Sequence, residues 1–198
     1  MTFFSFLPLS AIEKVAHLLA RYPIEVRVVK KRKTKHGDFR QLPTGAVQIT
    51  LNAQPNPYRF LITFLHELAH HIAFQEHGFR IRPHGQEWKQ TFRSISIPFL
   101  LETIFPQPLL AAFAQHLKNP KASSDTDEKL GRALKGFDPV TDKKTIFELP
   151  LGAQFSLDNG RVFQKGKQRR KRFECVEIRT QRVYLFQPNA EVNRMEKL

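Results

Sequence analysis

The sequence has 198 residues, of which 41% are apolar, and this predicts one folded domain or one domain with a small appendage. Its 32 lysines and arginines outnumber 18 aspartates and glutamates, and the net charge of +14 favours polyanionic partners, nucleic acid before an anionic membrane surface. Cys175 is the only cysteine, which excludes an internal disulfide and a cysteine-rich zinc module. The sequence lacks a basic signal-peptide region and a bilayer-spanning apolar run, so we expect a cytoplasmic protein without a membrane partner.

The spacing of apolar residues, together with proline and glycine, predicts the elements of the first part of the chain. In chain order they are a helix at 9–20, a strand at 24–29, a basic turn at 30–38, a strand at 46–51, and helices at 58–77, 86–97 and 109–119. The longest helix ends before Gly78, a residue that favours the left-handed conformation at a helix C-terminus.

The character of the sequence changes after residue 117. Residues 118–144 are polar and lack sustained periodicity, which predicts a linker or a long surface loop. Residues 145–198 contain short alternating apolar stretches around Asp158-Asn159-Gly160, a strong hairpin signal. We therefore predict an α+β protein with one domain at 1–117 and a small antiparallel β-module at 145–198, in which Cys175 is a buried apolar residue.

The long predicted helix carries His66-Glu67-Leu68-Ala69-His70. Histidines four residues apart on a helix lie about 6 Å from each other, so both can reach one ion. Glu67 falls beside that ion, where a carboxylate can act as general base toward water. Zinc suits two neutral imidazoles and an open water position, so the motif predicts a zinc-dependent peptidase. The competing interpretation is two histidines on a helix surface without a metal.

A catalytic zinc site requires a third protein ligand, and two nearby histidines do not qualify. His71 lies about 120° from the ligand direction around the helix, and His77 lies roughly 10 Å further along the axis. The metzincin pattern also fails, because Ala73 and Glu76 stand where it has glycine and histidine.

His84 is the favoured third ligand. It follows Gly78 by a short loop and precedes Gly85 and a predicted helix, so the chain can return it to the metal. Glu87 and Glu102 remain as alternatives, since a downstream glutamate on a later helix completes the site in another class of zinc peptidases.

The motif, His84-Gly85-Gln86-Glu87-Trp88 and the upstream strand at 47–52 together resemble the SprT-like zinc metallopeptidase family, which is Spartan-related. The resemblance covers roughly residues 9–115. It implies a zincin-like domain with a central HExxH helix, in which His66, His70 and His84 bind zinc and Glu67 is the catalytic acid and base. It also implies that Trp88 packs beneath the site.

The C-terminal module departs from this resemblance. Many bacterial members look as if they end in a cysteine-ligated zinc ribbon, whereas this chain has only Cys175. The module is then either a ribbon-like β-fold without its metal or an unrelated fold, and we expect one Zn²⁺ per chain.

Two segments concentrate the positive charge. Residues 161–172 and 27–40 each contain seven lysines or arginines, with Asp38 as the one acid in the second. Cations contact phosphates, and Phe163 and Phe173 beside the first segment can stack on exposed bases. The alternative is a solvated loop with core-facing phenylalanines. We predict binding to nucleic acid, DNA before RNA, through six residues: Lys165, Lys167, Arg169, Arg170, Lys171 and Arg172.

These features predict a zinc-dependent metalloendopeptidase that acts on a protein or peptide substrate, with DNA-associated proteins as one class of substrate. An edge strand at 47–51 would hold the substrate extended by strand addition. The alternative is a nucleic-acid-binding or regulatory protein with a zinc site and no peptidase activity. Glu67 argues against that alternative, because a purely structural site does not need it.

Overall fold

The computed structural model of the chain describes residues 2–32, 35–140 and 142–195, without the side chain of Phe79. The chain forms two compact units, the first made of Met1–Ser124 and Ala133–Pro139 and the second of Asp125–Arg132 and Val140–Leu198. Helices and two sheets are both present, so the α+β prediction is confirmed. None of the helices in the described ranges is long and apolar enough to cross a membrane.

The first unit combines helices with a three-stranded sheet. Its elements are α1 (Ile12–Arg21), β1 (Glu25–Val29), β2 (Gly37–Gln41), β3 (Val47–Asn52), α2 (Pro57–His77), α3 (Gln86–Ser96) and α4 (Leu109–Lys118), with short 3₁₀ turns at Phe3–Phe6, Leu9–Ala11, Gly78–Arg80 and Ile97–Phe99. Each predicted helix and strand of this part is present.

Helix α2 is the central element of the first unit because it is apolar on most sides. The side chain of Asn56 accepts the backbone N–H of Arg59 at 3.0 Å and thereby caps the helix N-terminus, which Pro57 begins. Asp138, from the Ala133–Pro139 segment of the first unit, forms an ion pair with Arg59 at 2.9 Å. Gly78 ends the helix with a φ of 72°.

The sheet order is β1-β3-β2, so β3 is the central strand. It pairs parallel with β1 and antiparallel with β2. The prediction that this strand forms an edge is therefore wrong, and the edge beside the helix is β2. The sequence predicts a turn that extends to residue 38, whereas Gly37–Gln41 forms a strand because it pairs with β3.

The two faces of β3 differ in polarity. Ile49 and Leu51 are fully buried on one face, while Gln48, Thr50 and Asn52 are buried on the other. Side chains that cover the polar face supply hydrogen-bond partners for its residues. Arg32 donates to Asn52 at 2.8 Å and to the Thr50 hydroxyl at 3.0 Å, which fixes the loop between β1 and β2 against the sheet.

The second unit is built on a six-stranded antiparallel sheet with the order β4-β9-β5-β6-β7-β8. Its strands are β4 (Lys144–Thr145), β5 (Gln154–Ser156), β6 (Val162–Arg169), β7 (Arg172–Glu177), β8 (Val183–Phe186) and β9 (Glu191–Arg194). The predicted hairpin turn joins β5 to β6, with Gly160 at a φ of 79°. Cys175 is fully buried among core residues that include Phe155 and Phe163, as predicted.

The segment at 118–144 contains more structure than a linker or loop. Helix α5 (Glu128–Lys135) lies within it, together with a 3₁₀ turn at Ser124–Thr126 and another, Ile146–Glu148, soon after it. Asp127 accepts the backbone N–H of Leu130 at 3.3 Å, and Leu130 and Leu134 are buried one turn apart. The two compact units divide this segment between them.

Candidate metal centre

Three histidines from two parts of the first unit meet at one point. His66 and His70 lie one turn apart on α2, and His84 lies in the loop before α3. The Nε2 atom of His84 is 3.0 Å from that of His66 and 3.0 Å from that of His70. One nitrogen from each ring lies within 4.8 Å of the others, which makes this trio a group that could hold a metal ion. Glu87 and Glu102 do not belong to it.

The donor set fits a metal ion with an open position. Nitrogen ligands at about 2.0–2.1 Å from a tetrahedral zinc lie roughly 3.3 Å from one another, close to the separations of the His84 nitrogen. Three neutral imidazoles leave one tetrahedral position for water or substrate.

Burial keeps these rings neutral. It lowers the pKa of His66 to about 2 and that of His70 to about 3, and neighbouring histidines add to the effect. Burial also lowers the pKa of His84. The nitrogen lone pairs are therefore available to a metal across the physiological pH range.

A tight turn brings His84 back to the helix. The backbone N–H of Gly85 donates to the carbonyl of Arg82 at 2.8 Å, and His84 adopts a φ of 56°. A Cβ atom at position 85 would lie 2.8 Å from the Arg82 carbonyl oxygen, so only glycine fits there without rearrangement.

Trp88 supports all three rings. Its ring centre lies 4.6 Å from that of His66, 5.2 Å from that of His70 and 4.7 Å from that of His84. The indole is fully buried and stacks on Phe92 at 5.1 Å. Its position restricts the histidine rotamers and so preorganises the three nitrogens.

Glu67 follows His66 on α2 and is buried, with 7% of its surface exposed. Burial raises its pKa to about 8, and the charge of Asp38 contributes in the same direction. The backbone N–H of Phe39 donates to the carboxylate and opposes this shift, as do the more distant charges of Arg32 and Lys35. The carboxyl group can therefore exchange a proton near neutral pH.

Gly37 covers Glu67 from the sheet. A Cβ atom at this position would lie 2.7 Å from both Cγ and Oε1 of Glu67 and 2.8 Å from the methyl group of Thr63. Strand β2 can approach the carboxylate this closely only because residue 37 lacks a side chain. Gly37 and Phe39 are site residues that the sequence does not predict, since their contacts depend on the pairing of β2 with β3.

The two histidines set aside on helix geometry lie outside the metal group. His71 is buried, with 1% of its surface exposed, and its ring lies 5.8 Å from that of Phe39. Burial lowers its pKa. His77 is at the surface near Glu76, with 43% of its side chain exposed.

In a comparison with known protein families, residues 14–104 match the model of the SprT-like family, which is consistent with the resemblance seen in the sequence. The matched region contains the three histidines, Glu67 and Trp88. No curated protein and no solved structure matches the chain.

The predicted nucleic-acid residues lie in the second unit, beyond the SprT-like region, and they do not share one environment. Lys167, Arg169, Arg170, Lys171 and Arg172 are exposed around the turn between β6 and β7.

Lys165 does not belong to this surface, and its prediction as a nucleic-acid contact is wrong. It is 6% exposed, and its Nζ donates to the carbonyls of Leu149 and Phe147 and lies 4.2 Å from the Phe173 ring centre. Burial lowers its pKa. Lys165 lies two residues from Phe163 in the alternating pattern of β6, and this spacing is the sequence signal that its side chain faces the core.

Phe163 and Phe173 are core residues, with 0% and 8% of their surface exposed. They are not available to stack on bases, so the alternative of core-facing phenylalanines holds.

Proposed function

We propose that this protein is a zinc-dependent metalloendopeptidase with a zincin-like catalytic unit. The observation that carries the proposal is a group of three histidine nitrogens within 4.8 Å of one another, two of them on the helix that also carries the buried Glu67. A zinc ion held by these imidazoles supplies a Lewis acid and lowers the pKa of water toward ~7. Helix α2 behind a sheet with one antiparallel edge strand supports the zincin-like assignment.

Glu67 supplies the proton transfers. Its carboxylate takes a proton from the attacking water and passes it to the departing amine, while the Phe39 N–H fixes its orientation. Burial raises the pKa of Glu67 to about 8, and the charge of a bound cation would oppose this shift and favour the carboxylate that accepts the proton. His66, His70 and His84 keep their nitrogens aimed at one point because Trp88 packs against each ring.

Strand β2 provides the edge for an extended substrate, in place of the strand at 47–51. The Leu42 N–H donates to the Ala46 carbonyl at 2.7 Å and the Asn52 N–H to the His36 carbonyl at 2.9 Å, which fixes the alternation of the β2–β3 ladder. Gly37 and Gln41 therefore direct their backbone groups away from β3, on the same side as the Phe39 N–H that reaches Glu67. A peptide added to this edge would run past the catalytic carboxylate.

The decisive experiment measures zinc stoichiometry and casein or histone cleavage, with and without single-stranded DNA, in wild type, Glu67→Gln and His84→Ala. We expect one zinc in wild type and in Glu67→Gln, with cleavage reduced on the order of a hundredfold or more in Glu67→Gln. His84→Ala should lose zinc and cleavage together, whereas the exposed His77→Ala is the matched control and should keep both.

If wild type and Glu67→Gln both retain zinc and neither cleaves in any condition, the alternative of a nucleic-acid-binding or regulatory protein is favoured. Two zinc ions per chain would contradict the single site proposed here.

A nucleic-acid partner is the second part of the proposal. It rests on five exposed cations around one hairpin turn, of which Arg169 alone lies near an acid, Glu174 at 3.6 Å, among the residues described. Such a turn can contact successive phosphates without reading sequence. We favour DNA over RNA, proteins associated with DNA as substrates, and the cytoplasm as the compartment.

A further inference from the structure

The sheet of the second unit ends in a strand whose outer edge is open. In the described part of the chain, β8 pairs with β7 alone. The Glu177 N–H donates to the Arg182 carbonyl at 2.9 Å. From this pair onward, hydrogen-bonded and non-hydrogen-bonded residue pairs alternate along β7 and β8. Tyr184 and Phe186 consequently bond to β7, while Val183 and Leu185 present their backbone N–H and C=O groups to the outer edge.

Apolar side chains accompany these backbone groups. Val183 and Leu185 are 61% and 48% exposed, and Ile178 beside them is 39% exposed. Tyr184 and Phe186 point the other way and contact the core ring of Phe163 at 5.6 Å and 5.0 Å. Strand β8 contains no proline and no charged residue, the usual protections of an edge against strand addition.

Cations lie at both ends of this edge. Arg179 and Arg182 belong to the exposed turn that leads into β8. At the other end, Phe186 pairs with Phe173, which places the end of β8 next to Arg172 and the hairpin turn. The acids nearby already have partners, because Glu177 bonds to Arg161 at 2.8 Å and Glu174 lies 3.6 Å from Arg169.

We propose that β8 is a docking site for an extended acidic segment of a partner protein, which adds as a further strand. Backbone hydrogen bonds would come from Val183 and Leu185, alternate apolar side chains of the partner would pack on the same two residues, and acids at its ends would face the flanking cations. This site is independent of the proposed peptidase centre and of phosphate contacts at the hairpin turn.

A second copy of this chain is a poorer occupant than an acidic segment. Antiparallel pairing of two β8 strands would place Arg182 of one copy beside the Arg172 end of the other, so like charges would meet. Nucleic acid lacks the alternating amide groups and apolar side chains that the edge can use.

The test is fluorescence anisotropy with the full chain and a labelled peptide, Asp-Glu-Val-Thr-Val-Thr-Val-Glu-Asp, at moderate salt. Leu185→Pro removes a backbone N–H that faces outward, so it should leave the β7–β8 ladder intact and weaken binding about tenfold, the loss of one or two backbone hydrogen bonds. Circular dichroism confirms that the variant is folded. Leu185→Ala should also weaken binding, whereas Leu151→Ala, at a more exposed leucine of the same unit, should not.

Charge is tested with the same peptide carrying lysines in place of its acids, and with the variant R179Q/R182Q. The basic peptide should fail to bind, and the variant should bind the acidic peptide more weakly. Equal binding of both peptides, or unchanged binding by folded Leu185→Pro, would overturn the proposal. The proposal would also be overturned if the acidic peptide does not bind and the chain forms a dimer that Leu185→Pro abolishes. The same holds if the acidic peptide does not bind and DNA binding depends on Leu185.

Discussion

The absence of a side chain at Gly37 lets the sheet approach Glu67, the proposed general base, closely. In Gly37→Ala the new methyl group would lie 2.7 Å from Glu67 Oε1 and 2.8 Å from a methyl group of Thr63, so the carboxylate must move. We expect kcat to fall at least tenfold while zinc content stays unchanged, because displacement of a catalytic group by about 1 Å is costly. The overpacking should also lower stability by about 1–3 kcal/mol.

Gly136→Ala is the matched control for this variant. Its new methyl group would meet nothing closer than 3.5 Å, the Ala133 carbonyl oxygen. Zinc content, activity and unfolding midpoint should match wild type. Full activity in Gly37→Ala would show that Glu67 tolerates displacement and would contradict its assigned role.

Glu177 is expected to make the second unit sensitive to acid. Hydrogen bonds from Arg161 and from Thr180 lower its pKa from 4.5 to about 2. A depressed carboxyl pKa contributes stability that is fully present above the unfolded value of 4.5 and is lost as the pH falls toward 2. We therefore expect the stability difference between wild type and Glu177→Gln to be constant above about pH 5.5 and to shrink below 4.5.

Urea unfolding of both proteins at several pH values measures this difference. Glu191→Gln, at an exposed position of β9, serves as the control. A difference that stays constant down to pH 2 would mean that the Arg161–Glu177 pair does not set the acid sensitivity.

At the scale of elements, the backbone groups of successive β2 residues point alternately to β3 and to the open edge. Those at the open edge are the ones that a substrate would bind. Gln41 directs its N–H to the open edge and Arg40 directs its N–H to β3. Gln41→Pro should therefore preserve the fold and zinc content but raise KM for a peptide substrate several-fold. Arg40→Pro should instead destabilise the unit by removing a ladder hydrogen bond.

Thermal unfolding and steady-state kinetics on both proline variants distinguish these outcomes. Unchanged KM in a folded Gln41→Pro protein would move substrate binding away from β2.

The elements that sequence analysis predicted correctly depend on local pattern. Apolar periodicity and Gly78 define α2, and the helical spacing of His66 and His70 places both on one side of it. Strand β2 was missed because Gly37–Gln41 has one inward apolar residue, Phe39, and gains its structure from a partner ten residues further along the chain. Pairing of this kind is not visible in a local window.

The sequence also does not show which charged side chains are buried. Lys165 belongs to a run of cations, and only the register of β6 against β7 shows that it faces Cys175 in the core. His84 could be favoured from its loop and from Gly85, but the sequence alone left Glu87 open because loop paths are not encoded by periodicity.

At the scale of the whole molecule, net charge of +14 predicts salt-dependent binding of polyanions. A variant with glutamine at all five exposed hairpin cations, Lys167, Arg169, Arg170, Lys171 and Arg172, should bind duplex DNA more weakly. The slope of log affinity against log salt should fall by about 0.9 for each phosphate contact removed. Titrations at several salt concentrations measure it.

A variant with glutamine at five exposed cations outside the hairpin, Arg21, Arg93, Lys118, Lys129 and Lys144, removes the same number of charges and controls for net charge. An equal loss of slope in this control would assign binding to diffuse charge and not to the hairpin turn.

The left-handed backbone of His84, with a φ of 56°, has a consequence for evolution of the chain. A non-glycine residue there costs about 1 kcal/mol relative to glycine, so without metal His84→Gly should be more stable than His84→Ala by about that amount. Unfolding of both variants in chelator measures the difference. Selection for stability alone would favour glycine at this position, and a lineage that no longer needs the metal should drift toward it.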